Sequence, residues 1–435
     1  MTFDYDVAIV GAGPIGSTLA YKIAKEGYSV VILEKKKEVG IPLQCAGIVS
    51  KKLRDFNEIP EDLILNEAKG AYLHSANHTL KVEKEKTEAL IIDRVAYDQF
   101  LAKKAVGAGA KLFTQYKVID VDSKNGLIRC HNNKEISAKV IVGADGSKSF
   151  VSSLFNDKFN YFNASQYLVE TSNLIEYNSN NSINNISNSS NNANNNNNNN
   201  NNNSNNNSNN NSNNNSNNNE FVDLFAVSKI LPGFLWCIPS SKNNYRIGLF
   251  SNNTYKDQKK ILDEFLDNDK RFNNCKVIEK YHGRIPIFDK NKKLVNDRII
   301  LIGDAASQLK PTTGGGLIIG FDTCNIAKKT IMKFLNNDEQ NNMDLLKSYE
   351  KNFKKKYSKE LSYQIKVQQT IENLSDNDLD YMFIKLKEKN AEEIISKYGD
   401  MDKQSVLVKE FIKRGLIFSI LPKVFFRKLA SIWSF

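Results

Sequence analysis

The sequence is poor in the side chains that build disulfide frameworks and metal sites. Its 435 residues include five cysteines and four histidines. The cysteines are odd in number, lie far apart and form no Cys-x-x-Cys pair, and the histidines show no ligand spacing. A secreted disulfide scaffold or a zinc site needs such pairs or clusters. We therefore expect no disulfide framework, no bound metal and a reducing environment.

Long apolar runs are also missing. No stretch approaches the roughly 20 apolar residues that a membrane-spanning helix needs. The chain enters a strand-like segment, "YDVAIVG", at Tyr5, which leaves no room for a signal peptide. These absences favour a cytoplasmic protein, and peripheral contact with a membrane surface stays open.

Acidic residues are outnumbered by basic ones, 49 to 60, which gives a formal net charge of +11. A basic surface attracts nucleic acid, anionic lipid or phosphorylated ligands alike. The sequence has no zinc-finger spacing, no RNA-binding signature and no basic region followed by heptads. We expect no nucleic-acid partner.

One segment, residues 178–219, is almost pure Asn with scattered Ser. Such a composition cannot bury enough apolar surface to offset the entropy of ordering, so it predicts a disordered insertion. The insertion lies between the strand-like segments "QYLVETSNLI" and "EFVDLFAV". We expect it to occupy the loop of a hairpin between them, and we assign it no chemistry.

The first pattern with chemical meaning lies near the N-terminus. Gly11, Gly13 and Gly16 are spaced as G-x-G-x-x-G between a predicted strand and a predicted helix. The first glycine permits a tight turn, the second lets the backbone approach a pyrophosphate, and the third lets the helix pack close to the strand. Glu34 ends the next strand, where its carboxylate can accept hydrogen bonds from both ribose hydroxyls of an adenosine. The pattern predicts dinucleotide binding and leaves NAD and FAD open.

Two later segments distinguish between these cofactors. "KVIVGADG" ends a strand at Asp145 and Gly146, a pair that alone is a common turn. "IILIGDAASQLKPTTGGGL" brings Asp304 to a strand end and places three glycines, 314–316, before a helix. A carboxylate there can bind a chain of hydroxyls, and bare glycine backbone can lie against a flat ring. NAD lacks such a polyol, whereas FAD has a ribityl chain and an isoalloxazine ring, so the segments together predict FAD.

These three segments are similar to those of the one-Rossmann flavoprotein superfamily, which contains the aromatic-ring hydroxylases and the geranylgeranyl reductases. The resemblance covers most of the chain outside the Asn-rich tract. It implies an α/β protein with a Rossmann-type FAD-binding domain, an antiparallel-sheet substrate domain and a helical C-terminal region. It also implies that Asp304 holds the ribityl chain and that residues 314–317 cradle the flavin ring.

Details within these segments favour the reductases. Hydroxylases of the superfamily usually carry an arginine where this chain has Ser152, and an asparagine where it has Ile318. "PTTGGGL" instead resembles the P-x-T-G-G-G-I of geranylgeranyl reductases. Cys45 lies in "IPLQCAG", which is similar to a Pro-x-x-Cys segment that lies near the flavin in these reductases.

A further segment, "LPGFLWCIP" at 231–239, resembles the family's substrate-cavity motif P-G-x-Y-x-W-x-F-P, with Phe234 in place of its tyrosine. The lost hydroxyl leaves Phe234 as an apolar wall. The resemblance implies catalytic-site roles for Cys45, on the flavin side, and for Trp236 and Phe234, which shape the cavity. The motifs and the resemblance together imply the following cofactor-binding residues: Gly11, Gly13, Pro14, Gly16, Glu34, Lys35, Cys45, Ala46, Arg94, Asp145, Gly146, Gly303, Asp304, Pro311, Gly314, Gly315, Gly316 and Leu317.

Packing alone is an alternative explanation for several of these residues. Cys45 can be a small buried side chain, Trp236 and Phe234 can be sheet core, and Arg94 can cap a helix. The same explanation does not suit Asp304 and the glycine turns.

The function implied by the resemblance is reduction of carbon–carbon double bonds in a geranylgeranyl or polyprenyl chain of a lipid or diphosphate. NADPH or a small redox protein would supply the electrons. The alternative is a flavin monooxygenase that hydroxylates an aromatic or lipid substrate. A third hypothesis, from another class, is a flavin-binding relic that acts as a scaffold at a membrane.

The motifs also predict how the chain is divided. An FAD-binding domain would be assembled from three segments, two segments would supply the substrate-domain strands, and a helical region would follow. In chain order these are 1–60 (FAD), 61–92 (substrate), 93–150 (FAD), 151–294 (substrate, with the insertion 178–219), 295–335 (FAD) and 336–435 (helical).

The last stretch, residues 410–435, interleaves apolar and aromatic residues with Lys and Arg, and Pro422 interrupts it. This pattern suits a helix at a membrane surface or a lid over the cavity mouth. A C-terminal helix docked on the core explains it equally well.

Overall fold

The computed structural model describes residues 2–43, 45–155, 160–172, 220–337 and 342–416. The Asn-rich insertion lies outside the described residues, as do residues 417–435 of the C-terminal stretch. The predictions of a disordered insertion and of a membrane-contacting tail therefore stay predictions.

A mostly parallel sheet forms one layer of the molecule. In spatial order its strands are β17 (Val295–Asn296), β18 (Ile299–Leu301), β11 (Glu135–Gly143), β1 (Tyr5–Val10), β2 (Val30–Glu34) and β8 (Lys111–Thr114). Only the β17–β18 pair within this path is antiparallel. Two further strands, β9 (Val118–Asp122) and β10 (Leu127–Cys130), extend β11 with antiparallel pairs. The second half of β1 is buried throughout, as expected for a central parallel strand covered on both faces.

Helices cover this sheet. They are α1 (Pro14–Ala24), α2 (Arg94–Gly107), the short α3 (Phe150–Ser153), α5 (Leu317–Leu335) and α6 (Asp344–Ile371). Helix α1 packs against both α2 and α5, and α5 packs against α6. The apolar side chains of these helices and of the sheet form the largest core cluster, with Leu19, Ile331 and Phe353 almost fully buried. The sheet and its helices confirm the predicted Rossmann-type layer.

A seven-stranded sheet forms the second layer. Its spatial order is β16 (Lys276–Pro286), β12 (Tyr161–Glu170), β15 (Asn244–Ser251), β14 (Leu235–Pro239), β13 (Phe221–Phe225), β5 (Gly70–His74) and β6 (Thr79–Glu83). Helix α4 (Tyr255–Asn268) packs on β12 and β15 and buries Leu262 and Phe265 against the face that points away from the first sheet. The pairing is antiparallel except between β5 and β13, which run parallel. The expectation of an antiparallel sheet is thus correct for all pairs but this one.

The predicted hairpin around the Asn-rich insertion is wrong. Strands β12 and β13, which flank the insertion, are separated in the sheet by β15 and β14. The chain therefore crosses two intervening strands between them. On its other side each of these two strands pairs with a segment that is distant in sequence, β12 with β16 and β13 with β5.

A small sheet and the C-terminal helices complete the described part of the molecule. The small sheet consists of β3 (Ile48–Ser50), β7 (Ala89–Ile92) and β4 (Ile64–Ala68). Three helices follow α6, namely α7 (Asp376–Glu388), α8 (Ala391–Tyr398) and α9 (Gln404–Lys413). Helix α8 packs on β6, and α9 packs on α6 and α8. Within the described ranges, no helix has the length and apolarity needed to cross a bilayer.

Candidate functional site

A cavity of about 930 Å³ lies between the two main sheets. One end is bordered by the carboxyl ends of β1 and β2, and the other by the inner face of the seven-stranded sheet. Ligand sites of open α/β sheets lie at the carboxyl ends of the strands. Of the predicted site residues, Gly16 and Pro311 do not line the cavity. All the others do: Gly11, Gly13, Pro14, Glu34, Lys35, Cys45, Ala46, Arg94, Asp145, Gly146, Phe234, Trp236, Gly303, Asp304, Gly314, Gly315, Gly316 and Leu317.

The glycines of the first turn have distinct surroundings. Gly11 has a φ of +106°, and a Cβ there would lie 2.5 Å from the Ala144 carbonyl oxygen. A Cβ on Gly16 would lie 2.1 Å from the Gly11 carbonyl oxygen, so Gly16 permits close packing and does not face a ligand. Gly13, just before α1, has no atom within 4 Å of its missing side chain. That open space, at a helix N-terminus with free N–H groups, is where a pyrophosphate can approach the backbone.

Glu34 ends β2 and is almost fully buried. Its Oε2 accepts a hydrogen bond from the Ala12 N–H at 2.9 Å, and its Oε1 accepts one from the Lys36 N–H at 2.9 Å. A carboxylate offers about four acceptor positions, so two stay available to hydroxyl groups. Glu34 is thus both fixed by the backbone and able to receive the ribose of an adenosine.

Asp145 has a more structural position than the sequence indicates. Its Oδ2 accepts hydrogen bonds from the N–H groups of Phe150 at 2.7 Å and Val151 at 3.2 Å, and its other oxygen accepts one from the Ser149 hydroxyl. Burial raises the pKa of Asp145, and these hydrogen bonds oppose the rise. The carboxylate therefore anchors the start of α3, and Gly146, with a φ of +79°, turns the chain beside the cavity.

Asp304 lies in the turn that follows β18. No described residue donates a hydrogen bond to its carboxylate, which lines the cavity. Desolvation raises the pKa of Asp304, and the positive charge of Arg94 opposes the rise. A partly enclosed carboxylate that accepts no hydrogen bond from the described residues can accept hydrogen bonds from the hydroxyl groups of a ligand.

The glycine turn at 314–316 lies next to Asp304. Gly314 has a φ of +69°. A Cβ on Gly315 would lie 2.8 Å from Lys310 Cε, and a Cβ on Gly316 would lie 3.2 Å from Asp304 Oδ1. Helix α5 begins immediately afterwards, at Leu317, so its first N–H groups border the same space. Only backbone without side chains fits there, as the cradle of a flat ring requires. Pro311 faces away, and its carbonyl oxygen accepts a hydrogen bond from Gln368 Nε2 at 2.6 Å.

Arg94 is the first residue of α2, and its buried guanidinium forms an ion pair with Asp98 at 2.9 Å. Burial alone would lower the pKa of Arg94, but Asp98 and the Cys45 sulfur raise it. Burial raises the pKa of Asp98, and Arg94 opposes this. The helix cap predicted as an alternative for Arg94 is made instead by Asp93, whose Oδ1 accepts the Ala96 N–H at 3.0 Å.

Two residues that sequence analysis missed hold the cavity wall together. Gln166 accepts a hydrogen bond from Trp236 Nε1 at 3.0 Å and donates one to the Cys45 carbonyl oxygen at 3.3 Å. Arg246, also buried, donates to the carbonyl oxygens of Ala46 at 3.0 Å and Ile92 at 3.1 Å. A signal for Gln166 existed in the alternation of β12, which places it on the same face as the apolar Ala164. Arg246 offered no such signal.

The rest of the cavity wall is mostly apolar. From the second sheet it includes Leu73, Val222, Leu224, Phe234, Trp236, Ile238, Phe250 and Ile285. Met401, Leu407 and Val408, in and before α9, line it from the C-terminal side. These three residues precede the stretch 410–435, and the lid predicted for that stretch stays a prediction.

These features fit FAD. The free acceptor positions of Glu34, the open space at Gly13, the carboxylate of Asp304 and the bare turn at 314–316 all border the same cavity. They suit, in that order, an adenosine ribose, a pyrophosphate, a ribityl chain and a flavin ring, which are the successive groups of FAD. The fold and the cavity define an FAD-dependent oxidoreductase, and residues 4–170 match the FAD binding domain family.

Comparison with known proteins specifies the family. The chain is 30% identical over 430 residues to an uncharacterised protein of Methanocaldococcus jannaschii, covering 96% of this chain and 98% of the relative. It is 27% identical to a digeranylgeranylglycerophospholipid reductase of Methanosarcina acetivorans, covering 88% and 89%. A geranylgeranyl bacteriochlorophyll reductase-like protein from Thermoplasma acidophilum has a similar structure, with a TM-score of 0.75, 21% identity and 98% coverage of both chains. The chain belongs to the geranylgeranyl reductase family of FAD-dependent oxidoreductases.

Proposed function

We propose that this oxidoreductase reduces carbon–carbon double bonds of a long isoprenoid chain attached to a lipid or to a diphosphate. The observation that carries the proposal is the apolar cavity wall that continues directly from the glycine turn at 314–316. An isoprenoid chain gains roughly 0.8 kcal/mol for each methylene that it buries in such a wall. The reductase named among the relatives supports the same substrate class.

When bound, reduced FAD supplies the hydride for this reaction. The described residues then have distinct tasks. Phe234 and Trp236 form the wall that aligns the chain, and Gln166 fixes the indole of Trp236 by its hydrogen bond. Cys45, whose carbonyl oxygen is held by the same Gln166, lines the cavity that contains both the apolar wall and the glycine turn at 314–316. Because an isolated alkene is a poor electrophile, such alignment is what lowers the barrier.

The donor, the compartment and the organisation of the chain belong to the same proposal. Electrons come from NADPH or from a small redox protein, and the protein works in the cytoplasm with contact at a membrane surface through its C-terminal tail. We also propose that the FAD-binding domain, the substrate domain and the helical region are divided at the boundaries predicted from the motifs.

The test is a single turnover without oxygen. The flavin of the purified protein is reduced, a geranylgeranyl-bearing phospholipid or geranylgeranyl diphosphate is added, and the oxidised flavin band is followed while the lipid is analysed by mass spectrometry. Reoxidation with a gain of two hydrogens per turnover is expected. A flavin that stays reduced until air enters, followed by oxygen in an added aromatic or lipid substrate, would establish the monooxygenase instead.

A further inference from the structure

Reduction of an alkene needs a proton as well as a hydride, and the two aromatic residues that align the chain, Phe234 and Trp236, cannot supply it. Phe234 and Trp236 do not titrate, and the Arg94 guanidinium stays protonated in proteins. Asp304 faces the place that suits the ribityl chain. If the chain itself supplies the proton, the donor is therefore another titratable group on the cavity wall.

Lys310 closes the loop that contains the glycine turn at 314–316, which we call the flavin turn. Its N–H donates to the Gly315 carbonyl oxygen at 3.0 Å, and the Gly314 N–H donates to the Lys310 carbonyl oxygen at 2.8 Å. A Cβ on Gly315 would lie 2.8 Å from Lys310 Cε and 3.2 Å from its Nζ. The amine thus passes directly beside the bare backbone that suits a flavin ring, and it lines the cavity.

The amine is paired with a carboxylate from the C-terminal segment. Lys310 Nζ donates to Asp402 Oδ1 at 2.9 Å and to the Met401 carbonyl oxygen at 2.7 Å. The two side chains are only 9% and 10% exposed. An ammonium has three N–H groups, so one is left for a ligand. Asp402 Oδ2 is buried and has no hydrogen-bond partner among the described residues, although Asp402 lines the cavity.

Two unused polar positions on one buried pair, beside the flavin turn, need an explanation because a buried polar atom without a partner costs about 1–3 kcal/mol. We propose that the Lys310–Asp402 pair is the acid of the reaction, with the Lys310 ammonium donating a proton to the alkene carbon that does not receive the hydride. This inference rests on the proposed reduction of an isoprenoid chain.

The step balances as follows. The π electron pair of the alkene forms a C–H bond to the proton of Lys310, while the N–H electron pair stays on nitrogen. Reduced FAD, when bound, would supply the hydride whose electron pair forms the second C–H bond. Lys310 is left as a neutral amine, and a solvent proton restores its charge through the free oxygen of Asp402. Overall, the alkene gains one hydride from FAD and one proton from water.

Three variants separate proton donation from mere positioning. Lys310→Met removes the acid, and Asp402→Asn keeps the shape of the pair but removes the carboxylate. Lys310→Arg keeps a cation opposite Asp402 that does not release its proton. The control is Lys52→Gln, which breaks the ion pair of Lys52 with Asp400 (2.6 Å) on the same C-terminal segment without changing a cavity-lining side chain.

The experiment is the anaerobic single turnover, run in H₂O and in D₂O for each variant. We expect reoxidation about 100-fold or more slower in Lys310→Met and in Lys310→Arg, as for loss of a general acid. Asp402→Asn should be slower too, with a changed solvent isotope effect, and Lys52→Gln should behave as the wild type. FAD titrations of the flavin-free variants, followed by flavin fluorescence, should give dissociation constants within about fivefold of the wild type, a difference near 1 kcal/mol.

Several results would overturn the inference. Wild-type rates and isotope effects in Lys310→Met exclude the pair as the acid, and full activity in Lys310→Arg reduces its role to electrostatics. Equal slowing in Lys52→Gln points to closure of the segment rather than proton transfer. Loss of the solvent isotope effect in Cys45→Ala alone makes the thiol the acid. A wild-type protein that binds FAD but reduces no prenyl substrate refutes the proposed function, and the acid assignment falls with it.

Discussion

At the scale of the residue, Asp304 shows how a group that suits a ligand can lower the stability of the protein without that ligand. Its carboxylate lies beside the glycine turn, and the chain provides it with no hydrogen-bond donor among the described residues. Removing a charge from water without a partner is unfavourable. The flavin-free protein therefore carries a destabilising group that hydroxyl donors of a bound ligand can satisfy.

Asp304→Asn is predicted to stabilise the flavin-free protein by about 1 kcal/mol at pH 7 while weakening FAD binding at least tenfold. The pKa of Asp304 is raised in the folded protein because of desolvation. Because this pKa is raised by folding, the protein loses stability as the pH rises from the pKa of Asp in the unfolded chain, near 3.9, through the pKa of Asp304 in the folded protein. The gain from Asn should hence be present at neutral pH and disappear in acid, as measured by urea unfolding at several pH values.

The matched control for this prediction is Asp145→Asn. The Asp145 carboxylate accepts hydrogen bonds from two backbone N–H groups, Phe150 and Val151, so an amide cannot replace it fully. This variant should lose stability at neutral pH. If Asp304→Asn is destabilising to the same extent, its carboxylate has a structural role and is not reserved for a ligand.

At the scale of the element, the parallel β5–β13 pair is fixed by a buried charge network. Asp223 of β13 accepts from Arg271 Nη1 at 2.7 Å and is paired with His74 Nε2 of β5 at 3.0 Å. Arg271 also contacts Asp269 at 2.6 Å. The network lies outside the cavity lining and connects two strands that come from distant parts of the sequence.

Asp223→Ala is predicted to cost about 3–5 kcal/mol of unfolding free energy, because it leaves Arg271 buried with less than its full charge compensation. Burial opposes ionisation of Asp223, but Arg271 and His74 outweigh it and lower its pKa. A carboxylate whose pKa is lowered by folding stabilises the protein at pH values above its unfolded-state pKa. This stabilisation is lost as the pH falls through its folded-state pKa. The difference between variant and wild type should therefore shrink below about pH 4. Thermal or urea unfolding measures it.

An exposed ion pair provides the comparison. Lys347 and Asp344 lie 2.7 Å apart on the surface of α6, with both side chains more than 70% exposed. Lys347→Ala should leave the unfolding free energy close to that of the wild type, because solvent screens an exposed pair. Equal effects in the two variants would mean that the buried network contributes no more than a surface pair.

The elements that sequence analysis predicted are those specified by local patterns. The first glycine turn and the strand before Asp304 can be read from about ten residues each, because glycine placement and apolar runs determine them. The β5–β13 pair could not be read in this way, since its partners lie about 150 residues apart and neither strand encodes its neighbour. The same reason explains the wrong hairpin around the Asn-rich insertion. Arg246 was missed because an isolated arginine in a strand does not reveal the carbonyl groups that it reaches.

At the scale of the whole molecule, the chain connects β12 to β13 past two intervening strands. The register pairs Glu170 with Asn244, Tyr245 with Pro239, and Cys237 with Asp223. The C-terminal end of β12 and the N-terminal end of β13 therefore lie at the same end of the strands. Three strand spacings amount to roughly 14 Å. A fully extended chain covers this distance in about five residues.

Replacing residues 178–219 by a ten-residue Gly/Ser linker is therefore predicted to leave the fold intact. The connection between Ser172 and Glu220 becomes roughly threefold shorter, which favours the folded state by about 1 kcal/mol through loop-closure entropy. FAD affinity and single-turnover rate should not change. A variant with a 42-residue Gly/Ser segment is the length-matched control, and unfolding of this control at lower urea than the wild type would reveal a contribution of the Asn-rich tract to stability.

The interleaving of the two sheets has a consequence for synthesis on the ribosome. Strands β5 and β6 emerge early, yet β5 has no partner on its other side until residue 225 has appeared. The parallel sheet likewise lacks β18 until residue 301 has been made. For most of translation, apolar faces that will enclose the cavity are thus exposed, and such long-range pairing is slow and open to aggregation. We therefore expect the nascent chain to be most open to aggregation and to chaperone binding until its last third has been made.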